Sequence, residues 1–303
     1  MHVIELENVC KSFGAVRAVD GLSVHVPQGS VYGFLGPNGA GKTTTLRMIM
    51  DIIRPDSGSI RLFGDSASSR ARDRVGYMPE ERGLYRKMTV TAVLNYFGTL
   101  KGLPAGRLKS QVPEWLKRVD LAEHAGQKVE ELSRGMHQKL QFVVTEINDP
   151  DLVILDEPFS GLDPVNQDML REIISNMRRE GKTVLFSTHV MHEAERLCDF
   201  IVLIDRGRVV VNGTLDEIRA GHEANTISLE LEGDADFVQR LPMVQAVKPD
   251  GRRLDVRLRD EADPQELLRV LVERSRVRVF EIRQPSLHEI FVRLVGGGHA
   301  ENL

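Results

Sequence analysis

Short apolar runs alternate along most of the chain with longer segments in which apolar residues recur at helical spacing. Residues 31–35 form one such run and lead into a glycine-rich turn, after which residues 43–53 carry apolar side chains with a helical period. Residues 151–155 and 183–187 each contain a continuous apolar run, at 152–155 and 184–186, which is typical of parallel strands buried on both faces. The alternation up to about residue 215 predicts a mostly parallel sheet that is covered by helices.

Polar or glycine-rich segments follow three of these predicted strands at the point where each strand ends. The glycine-rich turn follows the first strand, Asp156 and Glu157 follow the second, and His189 follows the third. Ligands bind beyond the carboxyl ends of the strands in an open parallel sheet. The pattern therefore predicts one crevice to which three strands contribute chemistry.

Two stretches in this part of the chain depart from the alternation. Residues 1–30 and 58–63 have the character of short strands joined by tight turns, which predicts an antiparallel β flank. Residues 86–147 show helical spacing and little β character. They predict a helical lobe that is inserted between strands of the sheet.

The pattern changes again after residue 222. The predicted order is strand, helix, two strands, helix and strand with a final helix, which is a ferredoxin-like α+β arrangement. The predicted strands lie at 226–232, 244–248, 253–259 and 276–282, and the predicted helices at 235–241, 264–275 and 285–294. We therefore expect two domains, residues 1–220 and 222–295, followed by a tail at 296–303 with a disordered glycine run.

The composition excludes several classes of protein. The 40 Lys and Arg residues against 44 Asp and Glu give a net charge of −4, which argues against a protein built to coat nucleic acid. The longest apolar run, at 200–204, is far shorter than the ~18 residues that span a bilayer, and no leader resembling a signal peptide is expected. The two cysteines, Cys10 and Cys198, fit a reducing compartment.

The strongest chemical signal is Gly36-Pro-Asn-Gly-Ala-Gly-Lys-Thr43, which matches the phosphate-binding pattern G-x-x-x-x-G-K-[ST]. Glycines let successive backbone N–H groups turn toward a phosphate, and the following helix adds the positive end of its dipole. Lys42 can reach the β- and γ-phosphates, and the Thr43 hydroxyl can bind Mg²⁺. A chance glycine-rich turn is the alternative, but this loop lies between a predicted strand and a predicted helix, as the motif requires.

A second signal follows the apolar run at 151–155. Asp156 occupies the place of the second Mg²⁺ anchor of a P-loop NTPase. Glu157, the next residue, can orient or deprotonate the attacking water. These two carboxylates alone would only begin a solvated turn, whereas beside a phosphate-binding loop they predict a metal ligand and a catalytic carboxylate.

Further motifs follow in a fixed order, and with them the chain resembles the ATP-binding subunit of an ABC transporter over residues 3–220. The resemblance implies that Phe13 stacks on adenine and that His189 is the switch histidine, which contacts the γ-phosphate and holds Glu157. The other matching residues are the nucleotide-binding loop Gly36, Pro37, Asn38, Gly39, Ala40, Gly41, Lys42, Thr43 and Thr44, the signature Ser133, Arg134, Gly135 and Met136, and the dimer-crossing loop Ser160, Gly161, Leu162 and Asp163. The implied fold is an α/β P-loop NTPase with the antiparallel flank and helical lobe, plus the small ferredoxin-like domain.

The chain departs from the usual pattern of this family at three positions. Glu80 stands where most members carry Gln, and its oxygens can still reach Mg²⁺, so we expect a metal-binding role for it beside Thr43 and Asp156. Arg134 and Met136 replace Gly and Gln of the usual Leu-Ser-Gly-Gly-Gln signature. These departures and the additional domain resemble a branch of exporter ATPases that includes sodium-extrusion and drug- or peptide-antibiotic-resistance systems.

The resemblance implies an ATPase that drives a membrane exporter, with ATP and Mg²⁺ as cofactors and Lys42, Glu157 and His189 as catalytic residues. Members of this family bury ATP between the phosphate loop of one chain and the signature of another, so a second copy or a paralogous chain is expected. The lack of a spanning segment implies that separate permease subunits carry the transport path. No nucleic-acid partner is expected.

The expected location is peripheral, on the cytoplasmic face of the cell membrane. We expect the permease to contact the helical lobe and the segment 80–88, with a helix seated in a groove. Arg82, Tyr85 and Met88 are the weaker candidates for that contact.

Two other functions compete with this interpretation. Some ABC ATPases act on ribosomes or in DNA repair, but they usually carry two fused ATPase units or long coiled coils, and this chain has neither pattern. The second alternative is a regulator that binds ATP without hydrolysing it, with the C-terminal domain as the ligand-binding part.

Overall fold

The computed structural model describes residues 1–66, 69–81, 83–221, 226–259 and 262–296 of the chain. The chain divides into two compact units, Met1–Leu215 and Asp216–Leu303. Arg82 and, apart from residue 296, the predicted tail lie outside the described residues. Within the described part, no helix is long and apolar enough to cross a membrane.

The strands of the first unit form two sheets. In chain order they are β1 (His2–Phe13), β2 (Val16–Pro27), β3 (Val31–Leu35), β4 (Ser57–Leu62), β5 (Asp65–Ser66), β6 (Val75–Met78), β7 (Leu152–Asp156), β8 (Thr183–Thr188), β9 (Phe200–Asp205) and β10 (Arg208–Thr214). One sheet is antiparallel, with the order β2-β1-β4-β5. The other has the order β10-β9-β3-β8-β7-β6, and its neighbours are parallel except β9 and β10. The predicted parallel sheet with an antiparallel flank is confirmed.

Helices cover the parallel sheet and build a separate lobe. They are α1 (Lys42–Ile49), α2 (Ser69–Asp73), α3 (Val90–Leu100), α4 (Ala105–Arg118), α5 (Arg134–Glu146), α6 (Pro164–Arg179) and α7 (Met191–Leu197) in the first unit, and α8 (Leu215–Ala220), which begins at the last residue of that unit and continues into the second. The lobe predicted at 86–147 consists of α3, α4 and α5 with two short 3₁₀ turns between them. The inserted helical lobe is therefore confirmed.

The central strands β3, β7 and β8 are buried along their whole length. One face of the sheet packs against the helical lobe and α6, through residues such as Phe142 and Ile174. The other face packs against α1 and the antiparallel sheet, through residues such as Leu46 and Leu22. Because both faces are covered, these strands contain continuous apolar runs rather than alternating ones.

The register of the parallel strands aligns their carboxyl ends. Leu35 at the end of β3 pairs with Thr188 of β8, and Asp156 at the end of β7 pairs with Ser187 of β8. The segments that follow these three strands therefore begin at one edge of the sheet.

The second unit is a small α+β domain with its own core. Its elements are β11 (Thr226–Glu232), β12 (Val244–Asp250), β13 (Arg253–Leu258), α9 (Pro264–Arg274), β14 (Arg276–Arg283) and α10 (Leu287–Gly296). The strands pair in the antiparallel order β12-β13-β11-β14. Leu229, Leu267 and Leu271 are completely buried in the core of this unit. The expected α+β arrangement is confirmed.

The helix predicted at 235–241 is wrong. This segment contains only a single 3₁₀ turn, Val238–Arg240. Asp234 accepts a hydrogen bond from the Asp236 N–H through its side chain, which favours a turn over a helix. Leu241 precedes Pro242 and is extended (φ −70°, ψ 136°), because a residue before proline is disfavoured in the helical region.

Candidate functional site

The glycine-rich loop between β3 and α1 has a backbone that glycine alone adopts without strain. Gly36, Gly39 and Gly41 have φ values of 155°, 81° and 103°. A Cβ on Gly36 would lie 2.3 Å from the Ile204 carbonyl oxygen, and one on Gly41 would lie 2.3 Å from the Ala18 carbonyl oxygen. Larger residues at these two positions would displace the loop from the strands behind it.

Lys42 opens α1 and turns its side chain back across the loop. Its side chain is only 6% exposed, and Nζ donates to the carbonyl oxygens of Gly36 (2.8 Å) and Pro37 (3.1 Å). A buried ammonium costs free energy unless it is paired, so these carbonyls and a nearby carboxylate hold it in place. The charge of Lys42 is thereby fixed inside the loop that binds phosphates in this motif.

Asp156 ends β7 and is almost completely buried. Its Oδ1 accepts hydrogen bonds from the hydroxyls of Thr43 (3.2 Å) and Ser187 (2.5 Å). Among the described residues, no partner bonds its Oδ2, although this oxygen is buried. A hydroxyl and an unsatisfied carboxylate oxygen are hard oxygen donors of the kind that Mg²⁺ takes from P-loop proteins. Thr43 and Asp156 therefore fit a magnesium ion and would supply oxygen ligands to it.

The Glu157 carboxylate contacts Lys42 of the phosphate loop and also His189, which follows β8. Its carboxylate is 9% exposed, with Oε1 3.5 Å from Lys42 Nζ and Oε2 3.0 Å from His189 Nδ1. A carboxylate only accepts hydrogen bonds, so the Nδ1 atom of His189 carries the proton in this contact. The imidazole is half exposed. Lys42, Glu157 and His189, which follow three different strands, are thus brought into one line of contacts.

The backbone at Glu157 is strained and is held by β8. Its φ of 51° lies in the left-handed region, which costs a residue with a side chain about 1 kcal/mol. The Glu157 N–H donates to both the carbonyl oxygen (3.2 Å) and the Oγ (3.1 Å) of Ser187. Ser187 therefore fixes the two acidic residues together, and our sequence reasoning did not select it. A polar residue in an apolar strand was the signal that could have found it.

Phe13 lies at the end of β1 with an exposed ring. The side chain is 51% exposed, and Lys11 Nζ lies 5.6 Å from the ring centroid. Phe13 pairs with Val16 at the turn into β2. The carbonyl group of Ala18, also in β2, lies close to Gly41 of the loop. The ring is therefore an available stacking surface on the strand pair that supports the phosphate loop.

The signature residues surround the start of α5. Ser133 is its N-cap, and the serine Oγ accepts from the Met136 N–H at 3.3 Å. Gly135 and Met136 belong to the first turn of this 13-residue helix. Its unpaired backbone N–H groups and the positive end of its dipole therefore lie at these residues. Arg134 is exposed and lies against Gly161 of the loop that precedes α6.

The segment Ser160, Gly161, Leu162 and Asp163 joins β7 to α6. Gly161 has a φ of 77°, and Asp163 is the N-cap of α6, accepting from the Asn166 N–H at 3.0 Å. This bond, together with a second from the Asn166 side chain, lowers the pKa of the Asp163 carboxyl. The segment is a compact turn whose end is fixed by a charged helix cap.

Glu80 follows β6 and is exposed at the mouth of a small cavity beside the two acidic residues. The cavity has a volume of about 150 Å³. Its lining residues are Met78, Pro79, Glu80, Arg134, Gln138, Gln141, Asp156, Glu157 and Ser160. The structure thus brings Glu80 and Arg134 together with the residues predicted to bind the metal and activate water.

Two glutamines of α5 donate hydrogen bonds to the backbone segments that line this cavity, and the sequence motifs did not identify either of them. Gln138 Nε2 donates to the carbonyl oxygens of Glu157 (3.4 Å) and Pro158 (2.5 Å). Gln141 Nε2 donates to the carbonyl oxygens of Pro79 (2.7 Å) and Glu81 (3.1 Å). The helix that begins with the signature is therefore bonded to the segments after β6 and β7. The one signal in the sequence was that Gln138 and Gln141 lie on the same face of the helix as Arg134.

Comparisons with known proteins show which family the chain belongs to. A family model described as ABC transporter matches residues 19–160, and one described as the C-terminal domain of DrrA1-3-like ATP-binding proteins matches residues 213–295. An uncharacterized ABC transporter ATP-binding protein, YhaQ of Bacillus subtilis, is 38% identical over 97% of this chain and 99% of its own. The Nod factor export ATP-binding protein I of Ralstonia nicotianae is 37% identical over 97% of this chain and 94% of its own.

A solved structure described as an ATP binding subunit of an ABC transporter shares the fold. The two superimpose with a TM-score of 0.68 at 31% identity, over 72% of this chain and 92% of the other. The predicted family, ATPase activity and exporter-type relatives are confirmed by these matches together. The chain belongs to the family of ABC transporter ATP-binding proteins, the nucleotide-binding ATPase subunits that power transport.

Proposed function

We propose that two copies of this chain close around two molecules of Mg·ATP and that hydrolysis reopens them to drive an exporter. The observation that carries this proposal is the contact of the buried Glu157 carboxylate with both Lys42 and His189, at 3.5 and 3.0 Å. A carboxylate held between a phosphate-loop lysine and a histidine is positioned to act on water that attacks a γ-phosphate.

The roles within one chain follow from these contacts. The backbone N–H groups within residues 36–44, which Pro37 lacks, and the Lys42 ammonium stabilise the charge of the phosphates, and Glu157 orients the attacking water and accepts its proton. His189 keeps the Glu157 carboxylate in place through its Nδ1–H and presents its half-exposed ring toward the γ-phosphate. Bound Mg²⁺ supplies positive charge to the phosphate oxygens, and Thr43, Asp156 and Glu80 are its proposed protein ligands.

Each active site in this proposal takes its signature from a second chain, as it does in other members of the family. The N-terminus of α5, with Ser133 and Gly135, presents unpaired N–H groups that can receive an anion. We therefore propose that Ser133 and Gly135 bind the γ-phosphate held by the other copy. The segment Ser160–Asp163 crosses between the copies.

The two domains have separate roles in this proposal. Residues 1–220 form the ATPase domain, and residues 222–295 form an accessory domain that matches the DrrA-like family model. The likeness to a Nod factor export protein favours export as the direction of transport.

Separate permease chains are the proposed partners, with this chain peripheral on the cytoplasmic face of the membrane. An aromatic cluster supports the contact region: Tyr85 is 52% exposed and Tyr96 is 41% exposed, with ring centroids 5.3 Å apart. Neighbouring exposed aromatic side chains are typical of a surface that docks an apolar partner. The cluster adjoins the predicted contact residue Met88.

The proposal is tested by ATP turnover and binding in three purified variants. Glu157→Gln is expected to lower turnover by about 100-fold or more while ATP still binds, because the amide cannot accept the proton from water. Lys42→Ala is expected to lose ATP binding. Glu172→Gln, on the exposed face of α6, is the matched control and is expected to turn over ATP like the wild type. Unchanged turnover in Glu157→Gln would contradict the proposal and favour a different base, whereas a wild-type chain that binds ATP without turning it over would favour the ATP-gated regulator.

A further inference from the structure

Three carboxylates and one guanidinium line the cavity between β7 and the start of α5. Among the described residues that line it, Glu80, Asp156 and Glu157 are acidic and Arg134 is basic. Lys42, the other nearby cation, is already held by Glu157 and two loop carbonyls. Among the described residues that line this cavity, Arg134 is therefore the one whose positive charge can offset that of Glu80.

The position of Arg134 depends on a glycine. A Cβ at Gly161 would lie 2.3 Å from Arg134 Nε and 2.7 Å from Cζ, so the guanidinium lies where only glycine leaves room. Gly161 belongs to the same chain as Arg134. The side chain is thus directed along its own β7–α6 segment, toward its own Asp156 and Glu157, although it belongs to the signature.

A polyphosphate that enters this site brings several more negative charges. Carboxylates near it weaken binding, most of all when no metal ion is present to screen them. One unit charge about 8 Å from another, at an effective dielectric constant of about 40, changes an affinity by roughly 5-fold. The Glu80 carboxylate and the Arg134 guanidinium therefore act on nucleotide affinity in opposite directions and by similar factors.

We propose that Arg134 is the counter-charge of Glu80 within one chain, so that it sets the affinity of the site for a nucleoside triphosphate before any second copy binds. This inference rests on the proposed function, since it takes residues 36–44 as the triphosphate site. Both side chains line the same cavity, so their opposite charges are expected to offset each other at the triphosphate site. Arg134 is a positioning and electrostatic residue here, and it touches no reacting atom.

The test is the dissociation constant of a fluorescent ATP analogue, measured at protein concentrations where sedimentation shows a monomer. It is measured in EDTA and again with saturating Mg²⁺. In EDTA, Arg134→Gln is expected to weaken binding by about 5-fold and Glu80→Gln to strengthen it by about as much. The dissociation constant of the double variant is expected to lie within about 2-fold of the wild-type value. Saturating Mg²⁺ is expected to make the differences in dissociation constant between the variants smaller.

Controls separate this inference from folding and from the proposed function. Arg107→Gln removes the same charge from the exposed first turn of α4 and is expected to leave the affinity unchanged. Melting temperatures show whether each variant folds, and Arg134→Lys keeps the charge and is expected to retain most of the affinity. Unchanged binding in Arg134→Gln, or a double variant as weak as Arg134→Gln, would overturn the inference. Binding that survives in Lys42→Ala would instead overturn the proposed function.

Discussion

At the scale of single residues, Ser187 shows how one hydroxyl can organise two acidic groups. It donates to Asp156 Oδ1 and accepts from the Glu157 N–H, which holds the strained backbone at Glu157. The serine is completely buried at the end of β8. Its contribution is to orient groups that carry the chemistry rather than to take part in it.

We expect Ser187→Ala to lower kcat for ATP hydrolysis by about 10-fold with little change in KM, because the variant loses orientation of the catalytic carboxylate. The Ser187 carbonyl still holds the Glu157 N–H, so the chain is expected to fold. Steady-state ATPase assays test this, with the exposed Ser110→Ala as control. A wild-type kcat would show that Ser187 is not needed for positioning.

Sequence motifs identified most of the candidate residues, because phosphate binding requires particular residue types at a fixed spacing. Gln138 and Gln141 were missed for a physical reason. They bond to carbonyls 19–20 and 60–62 residues away in the chain, and contacts over such separations arise from the packing of α5 against two strand ends. No local pattern reports such contacts.

At the scale of elements, α5 is the joint between the helical lobe and the sheet. Gly76 of β6 lies under this helix, and a Cβ there would be 2.6 Å from the Thr145 carbonyl oxygen and 3.0 Å from Pro150 Cγ. Backbone atoms cannot move aside as the end of a side chain can. The close approach of β6 and α5 therefore requires glycine.

Gly76→Ala is expected to lower the free energy of unfolding by about 1–3 kcal/mol, as overpacking does in a core. Gly106 is the matched control, since nothing lies within 4 Å of a Cβ placed there in the first turn of α4. Gly106→Ala is expected to raise the free energy of unfolding by about 0.5 kcal/mol, because alanine restricts the unfolded chain. Denaturant titrations of both variants test this, and equal effects would contradict the close packing of β6 on α5.

The other end of α5 carries a buried acid. Burial raises the pKa of Glu146, against the opposing attraction of the Lys182 ammonium at 3.0 Å. Lys182 also pairs with Asp149 at 2.7 Å. The folded chain holds the Glu146 proton to a higher pH than the unfolded chain does, so the Glu146 contribution to stability falls as pH rises above the unfolded pKa of about 4.3.

We therefore expect the melting temperature of Glu146→Gln, relative to that of the wild type, to rise between pH 4 and pH 7. The amide carries no charge to bury, and Lys182 keeps Asp149 as its partner. Thermal melts across this range test the sign, with Glu172→Gln as the exposed control. A difference that stays flat or falls with pH would contradict the raised pKa.

Periodicity predicted long, regular elements well and short ones poorly. The continuous apolar runs of β3, β7 and β8 reflect burial on two faces, so they were recognisable. The segment 235–241 has helical spacing, but a side-chain turn at Asp234 and a proline after Leu241 outweigh it. Local hydrogen bonds and backbone sterics prevail there over a short hydrophobic pattern.

At the scale of the whole molecule, each of the two units has its own hydrophobic core. The cores of the first unit enclose the parallel sheet, and the second unit buries Leu229, Leu267 and Leu271. The phosphate loop, the acidic pair and the signature all belong to the first unit. In our proposal one such unit does not complete a site, because its signature serves the nucleotide that another chain binds.

The central claim is that ATP joins two copies of this chain, and sedimentation of Glu157→Gln tests it most directly. With Mg·ATP the account predicts a species of twice the 34.0 kDa chain mass, because the nucleotide is held but not hydrolysed. Adding Ser133→Ala or Lys42→Ala to this variant is expected to prevent the dimer. A Glu157→Gln chain that binds Mg·ATP and stays monomeric, or that dimerises equally without nucleotide, would contradict the account.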